Sequence, residues 1–257
     1  MVNYYNEIDP YPAQWLRNLA AAGHIPPGMV DERSIADVRA DDLVGYTQAH
    51  FFAGIGGWPY ALRLAGWPDD QPVWTGSCPC QPFSNAGEGL GEADERHLWP
   101  EMFRLIKECR PAIVFGEQVD SVDGRAWFSS VRSDMEDAGC AVGGGIIPAA
   151  GVGAPHTRDR IFWVAANPGR VRGAGFRLAR GAGEVRPWGT FGPMDLREII
   201  DRPFDPGTRF GRPRALEISD GIPARVGRLR AYGNAIVPQV GAVFVRAVMD
   251  CILKEIE

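Results

Sequence analysis

The feature that most constrains this chain is an alternation of two periodicities. Short apolar runs at residues 2–6, 47–52, 72–75, 112–115 and 161–165 read as strands. Between them lie helical stretches at about 13–22, 59–65, 99–109 and 126–138; in the third, Trp99, Met102, Phe103 and Ile106 recur at helical spacing. Strands that alternate with helices at this pitch build a mostly parallel sheet covered by helices on both faces, an α/β fold. The rhythm breaks from about residue 167 to 226, where Gly, Pro and Arg dominate. That stretch reads as a separate small module or an extended loop. Order returns with Tyr232-Gly233-Asn234 and a last helix over about 240–256.

Composition excludes several classes. Hydrophobic residues make up 45% of the 257 residues and charged ones 23%, as in ordinary globular domains. No apolar stretch approaches the roughly 18 residues of a membrane helix, so no membrane partner is expected. The first ten residues hold two acids and no base, so no secretory signal is read there. The five cysteines, Cys78, Cys80, Cys109, Cys140 and Cys251, include no CxxC pair and form neither a disulfide framework nor a zinc site. A reducing, cytoplasmic setting is expected.

The formal net charge is −5, which argues against a polyanionic partner until its distribution is read. Residues 151–230 carry 15 Arg against 8 acids, while the rest of the chain carries 12 basic residues against 24 acids. One acidic body thus bears one arginine-rich segment. A surface that faces a polyanion and a solvated loop fit that charge equally well.

The densest chemical signal is Gly76-Ser77-Cys78-Pro79-Cys80-Gln81-Pro82-Phe83-Ser84. It places a cysteine just past a short strand, in a proline-bounded turn. Catalytic groups in open α/β sheets gather at such carboxyl ends, and a rigid turn can present a thiolate. A buried structural cysteine is the plainer alternative. A second signal is Phe52-Ala53-Gly54-Ile55-Gly56-Gly57, a glycine turn before a helix. It lets backbone approach a ligand closely and turns helix N–H groups toward an anion. Alone it fits a dinucleotide, S-adenosylmethionine or a tight turn.

Taken together, these motifs resemble those of bacterial and phage DNA (cytosine-5-)-methyltransferases. Pro79-Cys80-Gln81-Pro82-Phe83-Ser84 is similar to the family's catalytic loop, and Phe52 to Gly57 to its cofactor loop. Glu117-Gln118-Val119 is similar to its Glu-Asn-Val motif, Arg158-Asp159-Arg160 to the end of its Gln-x-Arg-x-Arg motif, and Gly233-Asn234-Ala235-Ile236-Val237-Pro238 to its last motif. The acidic ribose motif is unusual in its place: Tyr5-Asn6-Glu7-Ile8-Asp9-Pro10-Tyr11 resembles it and precedes the glycine loop. Ser34-Ile35-Ala36-Asp37-Val38, similar to the adenine-side motif, also precedes it. This order reads as a local circular permutation, with the second and third strands of the sheet ahead of the first.

The resemblance implies a Rossmann-like S-adenosylmethionine-dependent methyltransferase fold, with a catalytic domain over 1–166 and 227–257 and a target-recognition module over 167–226. It implies S-adenosylmethionine as cofactor, S-adenosylhomocysteine as product, and double-stranded DNA bound by a monomer, with a restriction enzyme or a phage as setting. Cys80 is the implied nucleophile at cytosine C6, Glu117 the acid at N3, and Arg158 and Arg160 the clamp on the base. Glu7 would accept both ribose hydroxyls. Phe52, Ala53, Gly54, Ile55, Gly56, Gly57, Ile8, Ser34, Ile35, Pro79, Leu98, Asn234 and Ala235 would complete the cofactor site.

Four positions depart from the family pattern: Gln118 for Asn, His156 for Gln, Ala235 for Ser, and Ser34 for an acid. They bear on cofactor affinity more than on reaction type. A tRNA cytosine-5 methyltransferase and a non-catalytic base-flipping DNA-binding relative are the alternatives. Intact Cys80 and Glu117 argue against the latter.

Overall fold

The computed structural model describes residues 2–79, 98–154, 156–173 and 235–256. Among them, seven strands form one sheet: β1 (Asn3–Asn6), β2 (Gly28–Asp31), β3 (Gln48–Phe51), β4 (Val73–Gly76), β5 (Ile113–Val119), β6 (Ala141–Pro148) and β7 (Asp159–Ala166). Their order across the sheet is β2-β1-β3-β4-β5-β7-β6. The five strands from β2 to β5 pair parallel, and β7 runs antiparallel to both β5 and β6. The expected mostly parallel, Rossmann-like sheet is therefore present.

Helices α1 (Pro10–Ala21), α2 (Gly57–Ala65), α3 (Trp99–Cys109), α4 (Val122–Asp137), α5 (Pro168–Gly173) and α6 (Pro238–Ile256) connect and cover it. Strand alternation sends neighbouring side chains to opposite faces. Phe115 and Phe162 join Trp58 of α2 and Phe244 of α6 in one core, whereas Val114 and Trp163 join Met102 of α3 and Trp127 of α4 in the other. Close approach of α6 to α2 depends on glycine. A Cβ on Gly57 would lie 2.7 Å from Ile236 Cγ1, and one on Gly241 would lie 3.0 Å from Ala61 Cβ.

Several boundaries differ from the sequence expectation. α1 begins at Pro10 rather than near residue 13, because the Asp9 side chain accepts from Tyr11 N and the prolines suit a first turn. α4 begins at Val122, capped by Ser121, whose Oγ accepts from Gly124 N at 3.0 Å. β5 runs to Val119, so Glu117 lies inside a strand and not after one. β7 starts at Asp159, so Arg160 is likewise a strand residue and does not precede one. In both cases the β5–β7 ladder carries polar residues into the sheet that apolar patterning alone leaves outside. β2 and β6 are not legible as apolar runs. β6 contains Gly143-Gly144-Gly145 and is a sheet edge with one buried residue among eight.

Of the arginine-rich stretch, residues 167–173 are described. Asn167 N donates to Ala112 O at 2.9 Å, and Val171 packs on the α2–α6 core. The rest of the stretch expected to form the target-recognition module lies outside the described residues.

Candidate active site

β1 and β3 are direct neighbours, and this puts Glu7 beside the glycine loop. Glu7 Oε2 accepts from Gly54 N at 2.8 Å, Oε1 accepts from Asp9 N at 2.9 Å, and Ala53 N donates to Asn6 O at 3.0 Å. Burial pushes the Glu7 carboxyl up, against the two backbone N–H bonds that favour its ionised form. The loop itself is built from left-handed backbone: Phe52 at φ 51°, Gly54 at 54° and Gly56 at 81°. Ala53 is buried, whereas Gly54 and Ile55 are half-buried.

A cavity of about 460 Å³ opens at the start of α2. Ile55, Gly56 and Gly57 line one side, Ala235 to Pro238 another, and His156 and Arg158 a third. Arg158 adopts φ 36°, and its Nη2 donates to Ala235 O at 2.6 Å. The chain before β7 is thereby tied to the segment that leads into α6.

The acid and the second arginine meet through strand register. Glu117 stands opposite Phe162 in the β5–β7 ladder, and Arg160 lies two residues from Phe162 on the same face. Diagonal neighbours of this kind are within reach of long side chains. Arg160 Nε lies 2.9 Å from Glu117 Oε1, with the side chains 19% and 8% exposed. Burial raises the Glu117 carboxyl above its ordinary range; the charges of Arg160 and Arg158 and hydrogen bonds from Ser77 and Arg160 pull it down without cancelling the rise.

The turn after β4 is anchored on both faces of the sheet. Ser77 Oγ accepts from Trp58 Nε1 at 3.0 Å. On the other face, Gln118 Nε2 donates to Cys78 O at 3.3 Å while its Oε1 accepts from Val119 N at 2.9 Å. Gln118, a departure read as bearing on the cofactor, therefore ties β5 to the turn. The Cys78 thiol is buried against Met102 Sδ at 3.8 Å, and burial pushes it far above the ordinary thiol range. It is an inert structural thiol. Pro79 is exposed, and Cys80 follows outside the described residues.

The remaining expected site residues are dispersed. Ser34 caps a short 3-10 turn, its Oγ accepting from Ala36 N at 3.4 Å, and Ile35 is buried in the α3–α4 core. Ile8 is 63% exposed. Leu98 precedes α3 and packs on the same core as Ile35. Asn234 lies outside the described residues. Sequence reading missed the contact of Trp58 with Ser77. It also missed Asp31, whose carboxylate takes Tyr4 Oη at 2.7 Å and both Nε and Nη2 of Arg33 at the end of β2. The signal was an acid at a strand end, hidden because β2 itself was not legible.

These features define an α/β protein with a glycine loop after β3 and a buried acid–arginine pair two strands away, on β5 and β7. The family model described as C-5 cytosine-specific DNA methylase matches residues 66–172. The chain resembles that family. Type II methyltransferase M.NgoMIV of Neisseria gonorrhoeae is 36% identical over 102 residues, 38% of this chain and 32% of its own length. Type II methyltransferase M1.ScrFI of Lactococcus lactis subsp. cremoris is 34% identical over 99 residues, 37% of this chain and 25% of its own. The chain thus spans a quarter to a third of these relatives' length. A solved structure of a Spodoptera frugiperda DNMT2 variant aligns with 80% of this chain and 53% of its own at 15% identity and a TM-score of 0.46.

Proposed function

We propose that this chain transfers a methyl group from S-adenosylmethionine to C5 of a cytosine flipped out of double-stranded DNA. The observation that carries this reading is the buried Glu117 carboxyl paired with Arg160, on the strand beside β4, whose end leads to Cys80. Cytosine C5 is a poor nucleophile. Attack by the Cys80 thiolate at C6 makes C5 enamine-like and places negative charge toward N3. A carboxyl raised by burial is suited to supply a proton there, and Arg160 fixes its orientation. After methyl transfer, loss of the C5 proton expels Cys80 and restores the ring.

The residues present fit the cofactor. A cavity of about 460 Å³ lies within the usual range for small-ligand sites. Each Glu7 oxygen accepts one backbone N–H and keeps a lone pair for a ribose hydroxyl. The cofactor would supply an electrophilic methyl; Ile55 to Gly57 and Ala235 to Pro238 line the cavity, and Glu7, which does not line it, would meet the ribose from the end of β1, beside Gly54. The strand order supports the permutation reading, since the strands before Glu7 and before the glycine loop are adjacent although their chain order is reversed. The arginine-rich stretch 167–226 is proposed to meet the cost of flipping through phosphate and base contacts.

The test is transfer of a labelled methyl group from S-adenosylmethionine to duplex DNA and, in parallel, to tRNA. Label on 5-methylcytosine in duplex DNA supports the reading. Label on tRNA alone, or none on either, overturns it.

A further inference from the structure

We propose that Arg158 is a positioning residue for the cavity: it holds the Ala235–Pro238 wall in place beside the glycine loop, while Arg160 serves the acid. The resemblance assigns both arginines to the base. The identity of the ligand rests on the activity proposed above; the hold on the wall does not.

In a regular strand, residues two apart share a face, so Arg158 and Arg160 would point the same way. They end on different partners. Arg160 Nε reaches Glu117 Oε1 at 2.9 Å, whereas Arg158 Nη2 donates to Ala235 O at 2.6 Å. The backbone gives the reason. β7 begins at Asp159, and Arg158 just before it turns at φ 36°, in the left-handed region that a residue with a Cβ rarely adopts. Strain of this kind persists where the surroundings fix it, and it gathers at ligand sites. Here it takes Arg158 out of the strand's alternation and separates the two guanidinium groups.

Ala235 begins one wall of the cavity, and that wall has two ties of different kinds. Ile236 is buried against the start of α2, where a Cβ on Gly57 would lie 2.7 Å from its Cγ1. Apolar contact of this sort holds the segment close but is not directional. The Arg158 bond is directional and charge-assisted, and it fixes the plane of the peptide that carries the Ala235 carbonyl. Arg158 also lines the cavity itself, opposite the glycine-loop side. The guanidinium therefore borders the space whose wall it sets. Loss of the bond leaves the apolar tie, so the wall stays attached but its shape toward a ligand is no longer fixed.

The experiment compares wild type with Arg158→Met, Arg158→Lys, Arg158→Gly and Arg160→Met, all without DNA. By calorimetry, S-adenosylmethionine affinity falls about tenfold in Arg158→Met, the lower end of what a hydrogen bond to a charged group contributes. Arg158→Lys keeps a cation and a donor and recovers most of the loss. Arg158→Gly suits φ 36°, so its melting temperature stays within about 3 °C of wild type while the affinity still falls. Arg160→Met keeps the affinity within about twofold. In ligand-free protein, amide exchange over residues 235–241 rises in Arg158→Met and not in Arg160→Met. An unchanged affinity in Arg158→Met, an equal loss in Arg160→Met, or affinity that falls only in step with melting temperature overturns the role toward the cofactor. Wild type that binds no S-adenosylmethionine overturns the activity reading instead. The exchange comparison then decides the hold on the wall: a rise in Arg158→Met alone supports it, and unchanged exchange overturns it.

Discussion

Arg160 Nε sits 2.9 Å from Glu117 Oε1, although the two are 43 residues apart in the chain and not directly paired in the sheet. The diagonal of an antiparallel ladder brings them together, inside a protein face that leaves the carboxylate only 8% exposed. Burial raises the acid, and the guanidinium limits how far.

Arg160→Met should therefore do more than remove a contact. Glu117 is already raised in the folded state. Its favourable contribution is complete below the unfolded value of about 4.3 and is lost as pH rises through the folded value. Without Arg160 that folded value climbs further, so the variant should lose more stability at pH 8 than at pH 5. Urea unfolding at the two pH values reads the difference. An equal loss at both would mean that Glu117 does not depend on Arg160.

Cys80→Ser should abolish methyl transfer and trapping on DNA that contains 5-fluorocytosine, with S-adenosylmethionine affinity within about twofold of wild type. Cys78→Ala should still trap, because its thiol is buried and held neutral. Denaturing gels of protein–DNA mixtures check both. Trapping that depends on Cys78 would move the nucleophile.

Glu7→Ala should weaken S-adenosylmethionine binding by about 1.5–3 kcal/mol, the range for hydrogen bonds to a charged group. Binding to wild type should also weaken on acidification, as the raised Glu7 carboxyl takes a proton. Titration calorimetry between pH 5 and 8 measures both effects. Unchanged affinity in the variant would remove Glu7 from the cofactor site.

His50 should govern part of the acid instability. It is fully buried in β3, its Nδ1 is 2.8 Å from Thr75 Oγ1, and burial pulls its pKa down to about 3. The unfolded chain takes this proton near pH 6.5 and the folded one does not until about pH 3. Stability from this group is thus full above pH 6.5 and falls by up to about 1.4 kcal/mol per pH unit below it. His50→Gln should remove one proton from the slope of unfolding free energy against pH between 6 and 4. An identical slope would assign the acid sensitivity elsewhere.

Replacing residues 167–226 with the corresponding stretch of a relative of known recognition sequence should move the methylated sites to that relative's sequence. Single Arg→Ala changes there should lower the salt dependence of DNA binding by about one ion where they contact phosphate. Bisulfite sequencing of DNA from expressing cells maps the sites. An active graft that keeps the original sites would put recognition outside this stretch.

The α/β class and the glycine loop before α2 were legible in the sequence, and the motifs of Glu117, Arg158 and Arg160 nominated these residues for one site. Each rests on a local pattern: apolar periodicity, a run of glycines with positive φ, a short motif. β2 and β6 were not legible, because a four-residue edge strand and a glycine-rich exposed one bury too little apolar surface to show a pattern. The tertiary structure decided which pieces meet. Parallel pairing of β1 with β3 put the Glu7 carboxylate on Gly54 N, and the β5–β7 register put Arg160 beside Glu117. The fit of Trp58 between Phe115 and Phe162 aimed its Nε1 at Ser77. Strand neighbours and their register come from burying both faces of the sheet at once, a condition on distant residues jointly, so no single stretch of sequence carries it.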